Sequence, residues 1–285
     1  MAVTVTVCAR TDIGCVRPTN EDAFVVADLT GGNLVDAEPL ARFEIGARGV
    51  LIAVSDGMGG HQAGEVASAL VVESLRRAMS DGSAPPHDEL LKQAVQQANR
   101  ETWEASRAPG RAGMGATVTA LYIGGAWAYM AEVGDSRAYV LRSGNLVQVT
   151  RDQSYVQLLI DRGAIAPEDA ANAPFRNVIL QAMGQKQDVQ VALGKLDVRQ
   201  RDCFVLCSDG LWQKVTPDEI ASTILNARRL DEACDTLIAL AKKRGGEDNI
   251  TLILAGVSGN LPPLVPGEQV SDTLEIVDEF TGPKT

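Results

Sequence analysis

Leu51-Ile52-Ala53-Val54-Ser55-Asp56-Gly57 runs from an unbroken apolar segment into a carboxylate, and Phe204-Val205-Leu206-Cys207-Ser208-Asp209-Gly210 repeats the pattern later in the chain. A short continuous apolar run bounded by a turn pair reads as a strand buried on both faces. Each of these strands ends in an aspartate. An unpaired carboxylate in such a place is costly, so two of them call for cations or strong hydrogen bonds nearby. The glycine after each lets the backbone bend and come close to whatever the carboxylate holds. Asp-Gly is also a common turn pair, and either stretch alone reads more simply as a strand exit. The duplication argues against that simpler reading.

Two further segments carry the same idea. Ala128 to Val133 leads into Gly134-Asp135-Ser136-Arg137, and Gly245-Gly246-Glu247-Asp248-Asn249 leads into the apolar strand Ile250 to Val257. Four aspartates therefore stand at strand ends. Oxygen-only donors suit hard cations such as Mg²⁺ or Mn²⁺, whereas zinc or copper normally recruits His or Cys. The chain has only two histidines, His61 and His87, and five cysteines without a C-x-x-C pair, which argues against a zinc ribbon or redox motif.

The chain has 285 residues, 45% of them hydrophobic and 22% charged, enough to bury a large core in one domain or two small ones. Its formal net charge of -11 and pI near 4.7 argue against nucleic acid or an anionic membrane as a partner, because phosphate surfaces reward clustered Lys and Arg. No apolar run is long enough to span a bilayer, and Met1 to Val7 alternates like a strand instead of forming a signal-peptide core. The expected location is cytoplasmic, and the odd cysteine count fits a reducing compartment.

Val3, Val5 and Val7 predict a first strand with one face inward. Helical spacing follows at Ala63, Val66, Ala67, Leu70, Val71 and Leu75, and again at Leu90, Leu91, Ala94, Val95 and Ala98. From Gly115 to Gln148 the pattern changes to short strands with turns at Gly124-Gly125 and Ser143-Gly144-Asn145, the mark of antiparallel hairpins. Residues 150–176 look helical, with Thr150 and Gln153 as a capping box and Pro167 in a first turn, and form a candidate flap over a site. Strands are predicted at Val189 to Leu196 and Cys203 to Ser208. Helices then open at Thr216-Pro217-Asp218-Glu219 and run from Asp231 to Lys243. This clustering predicts an α+β fold, sheet packed on sheet with helices outside. Residues 258–285, with Pro262-Pro263, Pro266-Gly267 and an acidic stretch, read as an acidic C-terminal tail of low order after a domain of residues 1–257. Within that tail Thr273 is a weak candidate for phosphorylation that would dock a phosphothreonine-reading partner.

Six motifs occur together: Arg17-Pro18-Thr19-Asn20-Glu21-Asp22, Val54-Ser55-Asp56-Gly57-Met58-Gly59-Gly60-His61, Gly113-Met114-Gly115, Val133-Gly134-Asp135-Ser136-Arg137, Leu206-Cys207-Ser208-Asp209-Gly210-Leu211-Trp212 and Glu247-Asp248-Asn249-Ile250-Thr251. In this order and spacing, over residues 3–257, the chain resembles the bacterial branch of the type 2C (PPM-type) protein phosphatases, the metal-dependent serine/threonine phosphatases. The resemblance implies a four-layer α-β-β-α sandwich, two antiparallel sheets flanked by helices, with a small helical flap. It implies that Asp56 bridges two Mn²⁺ or Mg²⁺ ions, that the Gly57 carbonyl binds one, and that Asp209 and Asp248 bind the other. Asp135, with Asp209, resembles the ligands of a third, weaker ion. Glu21 and Asp22 match positions that hold metal-bound waters, Asn249 orients ligands beside them, and Arg17 matches the family's phosphate-binding arginine.

The implied reaction is hydrolysis of phosphoserine and phosphothreonine in proteins, by direct in-line attack of a metal-bridging water or hydroxide. No phosphoenzyme is required: no cysteine is followed six residues on by arginine, which excludes the usual cysteine-nucleophile loop, and neither a D-x-D-x-T motif nor a Walker loop is present. Met58 cannot act as an acid, where eukaryotic relatives carry histidine. His61 either reaches the leaving oxygen or hydrogen-bonds within its turn. Gln153, Ala116 and Gln181 also depart from the family's usual residues. The implied partners are phosphorylated proteins and a bacterial serine/threonine kinase that the enzyme opposes, with no nucleic acid and no membrane, and the implied state is a monomer. The competing readings are a pseudophosphatase that binds phosphoproteins without turning them over, and a metal-dependent nuclease. Retention of Asp56, Asp209 and Asp248 weighs against the first, and the acidic surface against the second.

Overall fold

The computed structural model describes residues 2–34, 40–59, 62–81 and 87–282. In chain order these form β1 (Thr4–Asp12), β2 (Asp22–Asp28), β3 (Ala41–Glu44), β4 (Val50–Met58), α1 (Gln62–Asp81), α2 (His87–Ser106), β5 (Gly115–Ala116), β6 (Val118–Gly124), β7 (Trp127–Val133), β8 (Arg137–Arg142) and β9 (Asn145–Gln148). The second half adds α3 (Tyr155–Asp161), a 3-10 turn at Pro167–Asn172, β10 (Ala192–Asp197), β11 (Cys203–Cys207), α4 (Asp209–Trp212), α5 (Pro217–Asn226), α6 (Leu230–Lys243), β12 (Ile250–Ser258) and β13 (Leu274–Asp278).

All named strand pairs are antiparallel, in two sheets ordered β3-β1-β12-β11-β8-β9 and β13-β10-β7-β6-β4-β2, with β5 against the end of β4. The unbroken apolar runs follow from cover on both faces. Along β4, Ile52 and Val54 enter the core between the sheets with Leu121, Val140, Phe204 and Ile253, while Leu51 and Ala53 pack under α1 and α2. Along β11, Phe204 and Leu206 face the same inter-sheet core, while Val205 and Cys207 lie under α5 and α6 with Leu237 and Leu252. The architecture is therefore the expected four-layer sandwich, α+β in class.

Two local signals act where predicted. Thr216 accepts from the Glu219 backbone and Glu219 returns the bond, a complete capping box for α5. Ser143 and Gly144 have φ of 52° and 84°, the left-handed pair that a tight hairpin between β8 and β9 requires. The capping box expected from Thr150 and Gln153 does not form. Ser154 caps α3 instead, accepting from the Gln157 backbone, while Thr150 Oγ1 accepts from Ala138 N at 3.0 Å.

The C-terminal segment is a correction. Residues 259–282 fold onto the domain, and β13 pairs along β10 from Leu196↔Leu274 to Leu193↔Asp278 with one bulge. Leu261 and Val270 are buried in the inter-sheet core. The anchor is Arg142, 2% exposed, which makes a bidentate pair with Asp202 (2.9 and 2.6 Å) and donates to Thr273 Oγ1 at 2.7 Å and Asp197 O at 2.7 Å. A five-residue strand on a sheet edge is too short for periodicity to reveal. Thr273 is thus held by its hydroxyl against a buried guanidinium.

Removing Arg142 as Arg142→Ala would leave Asp202 buried without a counter-charge and is expected to cost about 3–5 kcal/mol, measured by urea unfolding. Thr273→Val removes one bond to a charged group and should cost about 1.5–3 kcal/mol. An unchanged urea midpoint in either variant would contradict this role.

Candidate metal centre

The strand of the first quoted motif carries its aspartate past the core and on into a second pairing. Asp56 lies within β4, which continues to Met58 and pairs Gly57↔Ala116 and Met58↔Gly115. Its backbone N–H donates to Thr117 Oγ1 at 2.9 Å, and its carbonyl accepts from Thr117 N at 2.9 Å. Thr117 Oγ1 is also 2.8 Å from Ser136 Oγ, so the turn carrying Asp135 is tied to the strand carrying Asp56. Asp22 stands directly opposite Asp56 in the β2–β4 register.

The second motif turns into α4 at Asp209. Ser208 sits at the N-cap position but does not cap its own helix. Its hydroxyl donates to Asp22 Oδ2 at 2.7 Å and accepts from Thr251 N at 3.0 Å. Asp209 Oδ2 accepts from Gln213 Nε2 at 2.8 Å, whereas Asp209 Oδ1 is buried and meets no donor among the described residues. The glycines after both aspartates are required by close approach. A Cβ on Gly57 would lie 2.2 Å from Gly64 O, and one on Gly210 would lie 2.0 Å from Asn249 O.

Asp248 and Asn249 enter from the loop before β12. Asn249 is 4% exposed; its Oδ1 accepts from Glu21 N at 2.8 Å, and its Nδ2 donates to Ile13 O (3.0 Å) and Thr19 O (2.9 Å). It therefore holds the loop that presents Arg17 and Glu21. Arg17 Nη2 donates to Asp248 Oδ2 at 2.7 Å, with the arginine side chain 50% exposed. Glu21 O accepts from Gly57 N and from Ser68 Oγ. Gly60 and His61 lie outside the described residues.

The electrostatics record how closely these groups converge. Loss of hydration is the first cause of every upward shift among them, and the other aspartates add to it. Asp56 is pushed well above the usual carboxylate range by burial and by Asp22, Asp209, Asp135 and Asp248. Asp209 is pushed up in the same way, by burial and then by Asp135, Asp248 and Asp22. Burial raises Asp22 to about 6, despite bonds from Ser208 and Thr251 that oppose the shift. Burial and Asp152 raise Asp135 to about 7 against the pull of Arg137. Among the described residues no three such side chains close on a single point at ligand spacing. Like charges resist closer approach, and a cation is the natural means of drawing them together.

Several residues of the site escaped the sequence reading. Thr117 lies in no motif, while Ser136, Ser208 and Thr251 sit inside the quoted motifs and could have been suspected there. Gln153 is 1% exposed and clamps the Asp135 turn: its Oε1 accepts from Gly134 N at 2.9 Å and its Nε2 donates to Glu132 O at 3.0 Å. Gln181 Nε2 donates to the same Oε1 at 2.7 Å. Two of the family departures thus bond to each other. Trp212 Nε1 donates to Asp135 O at 3.1 Å and supports the Arg137 guanidinium 3.6 Å above its ring, while Arg137 forks onto Asp152 at 2.8 and 2.7 Å.

Comparison with known proteins agrees with this geometry. The family model described as Protein phosphatase 2C matches residues 40–254. The serine/threonine protein phosphatase PstP of Mycobacterium tuberculosis is 37% identical over 97% of this chain, and the chain spans about half the length of that relative (50%). The serine/threonine phosphatase stp of Listeria welshimeri is 35% identical over 86% of this chain and 93% of its own length. A crystal structure of the M. tuberculosis PstP/Ppp phosphatase superposes with a TM-score of 0.77 at 35% identity, covering 90% of this chain and 100% of the other. The PstP catalytic domain in complex with two manganese ions superposes with a TM-score of 0.75 at 34% identity, over the same shares. The chain belongs to the protein phosphatase 2C family.

Proposed function

We propose that this chain is a metal-dependent serine/threonine protein phosphatase that hydrolyses phosphoserine and phosphothreonine esters in proteins. The observation that carries the reading is the convergence of Asp22, Asp56, Asp135, Asp209 and Asp248 from five separate segments, with the buried Asp209 Oδ1 among them meeting no donor among the described residues. Such a donor set fits divalent cations with a preference for oxygen. Asp56, the Gly57 carbonyl, Asp209 and Asp248 would hold Mn²⁺ or Mg²⁺, with Asp135 as the ligand of a third ion. Bound cations would supply positive charge for the phosphoryl oxygens and make water at the site more acidic.

The chain's own groups do the rest. Arg17 is anchored by Nη2 on Asp248, and among the described residues its Nε and Nη1 meet no acceptor, which leaves donors on both edges of the guanidinium for a phosphate. Glu21, Asp22 and Asn249 set the positions of the groups around the cations through the bonds described above. Met58 carries no proton to donate, and Gln185 Nε2 lies 3.6 Å from its sulfur. The partners this chemistry implies are phosphoproteins and the serine/threonine kinase that makes them.

A phosphothreonine peptide should be hydrolysed in added Mn²⁺ and spared in chelator. Asp209→Asn should lower turnover by more than about 100-fold, beyond the loss typical of outer partners. Absence of turnover in the native chain despite measured Mn²⁺ binding would identify a phosphoprotein-binding module instead. Gln153→Ala should raise the Mn²⁺ concentration for half-maximal activity by about 10–100-fold, and an unchanged Mn²⁺ dependence would remove Gln153 as a positioning residue.

Stability should report the same charges. Asp22 and Asp135 rise from 3.8 to about 6 and about 7, so without metal the folded chain binds more protons than the unfolded one across that window. Their contribution to stability is full below 3.8 and is lost as pH rises through the folded values. Mn²⁺ should therefore raise the melting temperature more at pH 7 than at pH 5, where protons compete for the carboxylates. An equal or larger rise at pH 5 would contradict the assignment.

A further inference from the structure

The C-terminal residues do more than cover a sheet edge. With α3 and the end of β7 they enclose a cavity of about 710 Å³, within the range of small-molecule sites. Its floor includes Glu132, which shares a strand face with Ala128 and Met130 and is only 2% exposed. Glu132 Oε2 accepts from the Arg151 backbone at 2.9 Å, but Oε1 meets no donor among the described residues. A buried acceptor left without a donor is rare and marks a place where a partner is missing. The proposed metal chemistry makes no use of this carboxyl.

Charge and shape narrow the partner. Five carboxylates line the cavity, Glu132, Asp152, Asp161, Asp278 and Glu279, against two guanidinium groups, Arg151 and Arg162. Asp152, Asp161 and Asp278 already pair with Arg137, Arg151 and Lys92, so Glu132 remains the buried acid in need of a cation. Around it the apolar side chains Met130, Leu158, Leu274 and Ile276 stand among polar ones such as Gln148, Ser154 and Gln157. We propose that this cavity is a binding site for a small amphiphilic amine, its ammonium nitrogen on Glu132 Oε1 and its hydrocarbon body against Met130, Leu158 and Leu274. Burial and Asp152 hold the Glu132 carboxyl well above its usual range, so a cation is what would favour its ionised form. The site stands independently of the phosphatase reading, because an inactive chain would bind the amine equally well.

The test uses the full chain carrying ¹³C-methyl methionine, with the Met130 resonance assigned by Met130→Leu. Hexylammonium chloride, hexanol and sodium hexanoate are titrated separately. Hexylammonium should shift the Met130 signal saturably, with hexanol and hexanoate at least roughly tenfold weaker, as expected for loss of one charged hydrogen bond. Glu132→Gln should reduce hexylammonium to the level of hexanol, and Leu158→Trp, which fills the cavity from α3, should abolish all shifts. Equal binding of amine and alcohol, full retention in folded Glu132→Gln, or no saturable shift in the native chain would each overturn the proposal. If the Glu132 variant loses signal dispersion, Leu158→Trp and the three-probe comparison decide the matter.

Discussion

Asp22 and Asp56 stand opposite each other on neighbouring strands, where like charges are destabilising, and Asp135, Asp209 and Asp248 add to the same repulsion. Much of the architecture around them offsets that charge without cancelling it. Thr117 and Ser136 join the Asp56 strand to the Asp135 turn, Ser208 and Thr251 bond Asp22, and Asn249 fastens the Arg17 loop. The strands behind them are buried on both faces, so they cannot relax apart without opening a core. A strained cluster of carboxylates on a rigid frame is what a divalent-cation centre needs before the cation arrives.

The Asp135 turn is held from several sides. Trp212 holds its carbonyl, Gln153 holds the preceding Gly134, and the adjacent Arg137 is locked between Trp212 and Asp152. Through Gln153 and Asp152 the turn is continuous with the segment that leads into α3. Gln153 and Gln181, which each depart from the family's common residues, share a hydrogen bond, so the departure is a paired change with its own internal satisfaction.

Residues 259–282 solve a problem of the second sheet. Without β13 the backbone of β10 would be an open edge beside an inter-sheet core. Arg142, Asp202 and Thr273 secure that cover with a fully buried ion pair and a hydroxyl, and Arg199 adds a fork onto Glu268 at 2.8 and 3.0 Å. The same segment forms a wall of the Glu132 cavity.

The amino-acid sequence by itself determined the strands whose apolar runs are covered on both faces, the amphipathic helices, the α5 cap, the β8–β9 turn and the set of aspartates, because each of these rests on neighbours within a few residues. It also carried the family motifs, whose order is a property of the chain alone. Only the tertiary structure decided that Asp22 faces Asp56, that Ser208 serves Asp22 and not its own helix, that Arg17 leans on Asp248, and that the acidic end of the chain is a sheet strand. These depend on hydrogen bonds and pairings between residues far apart in sequence, where polar side chains show no periodicity and a short edge strand is chosen by the partner it meets.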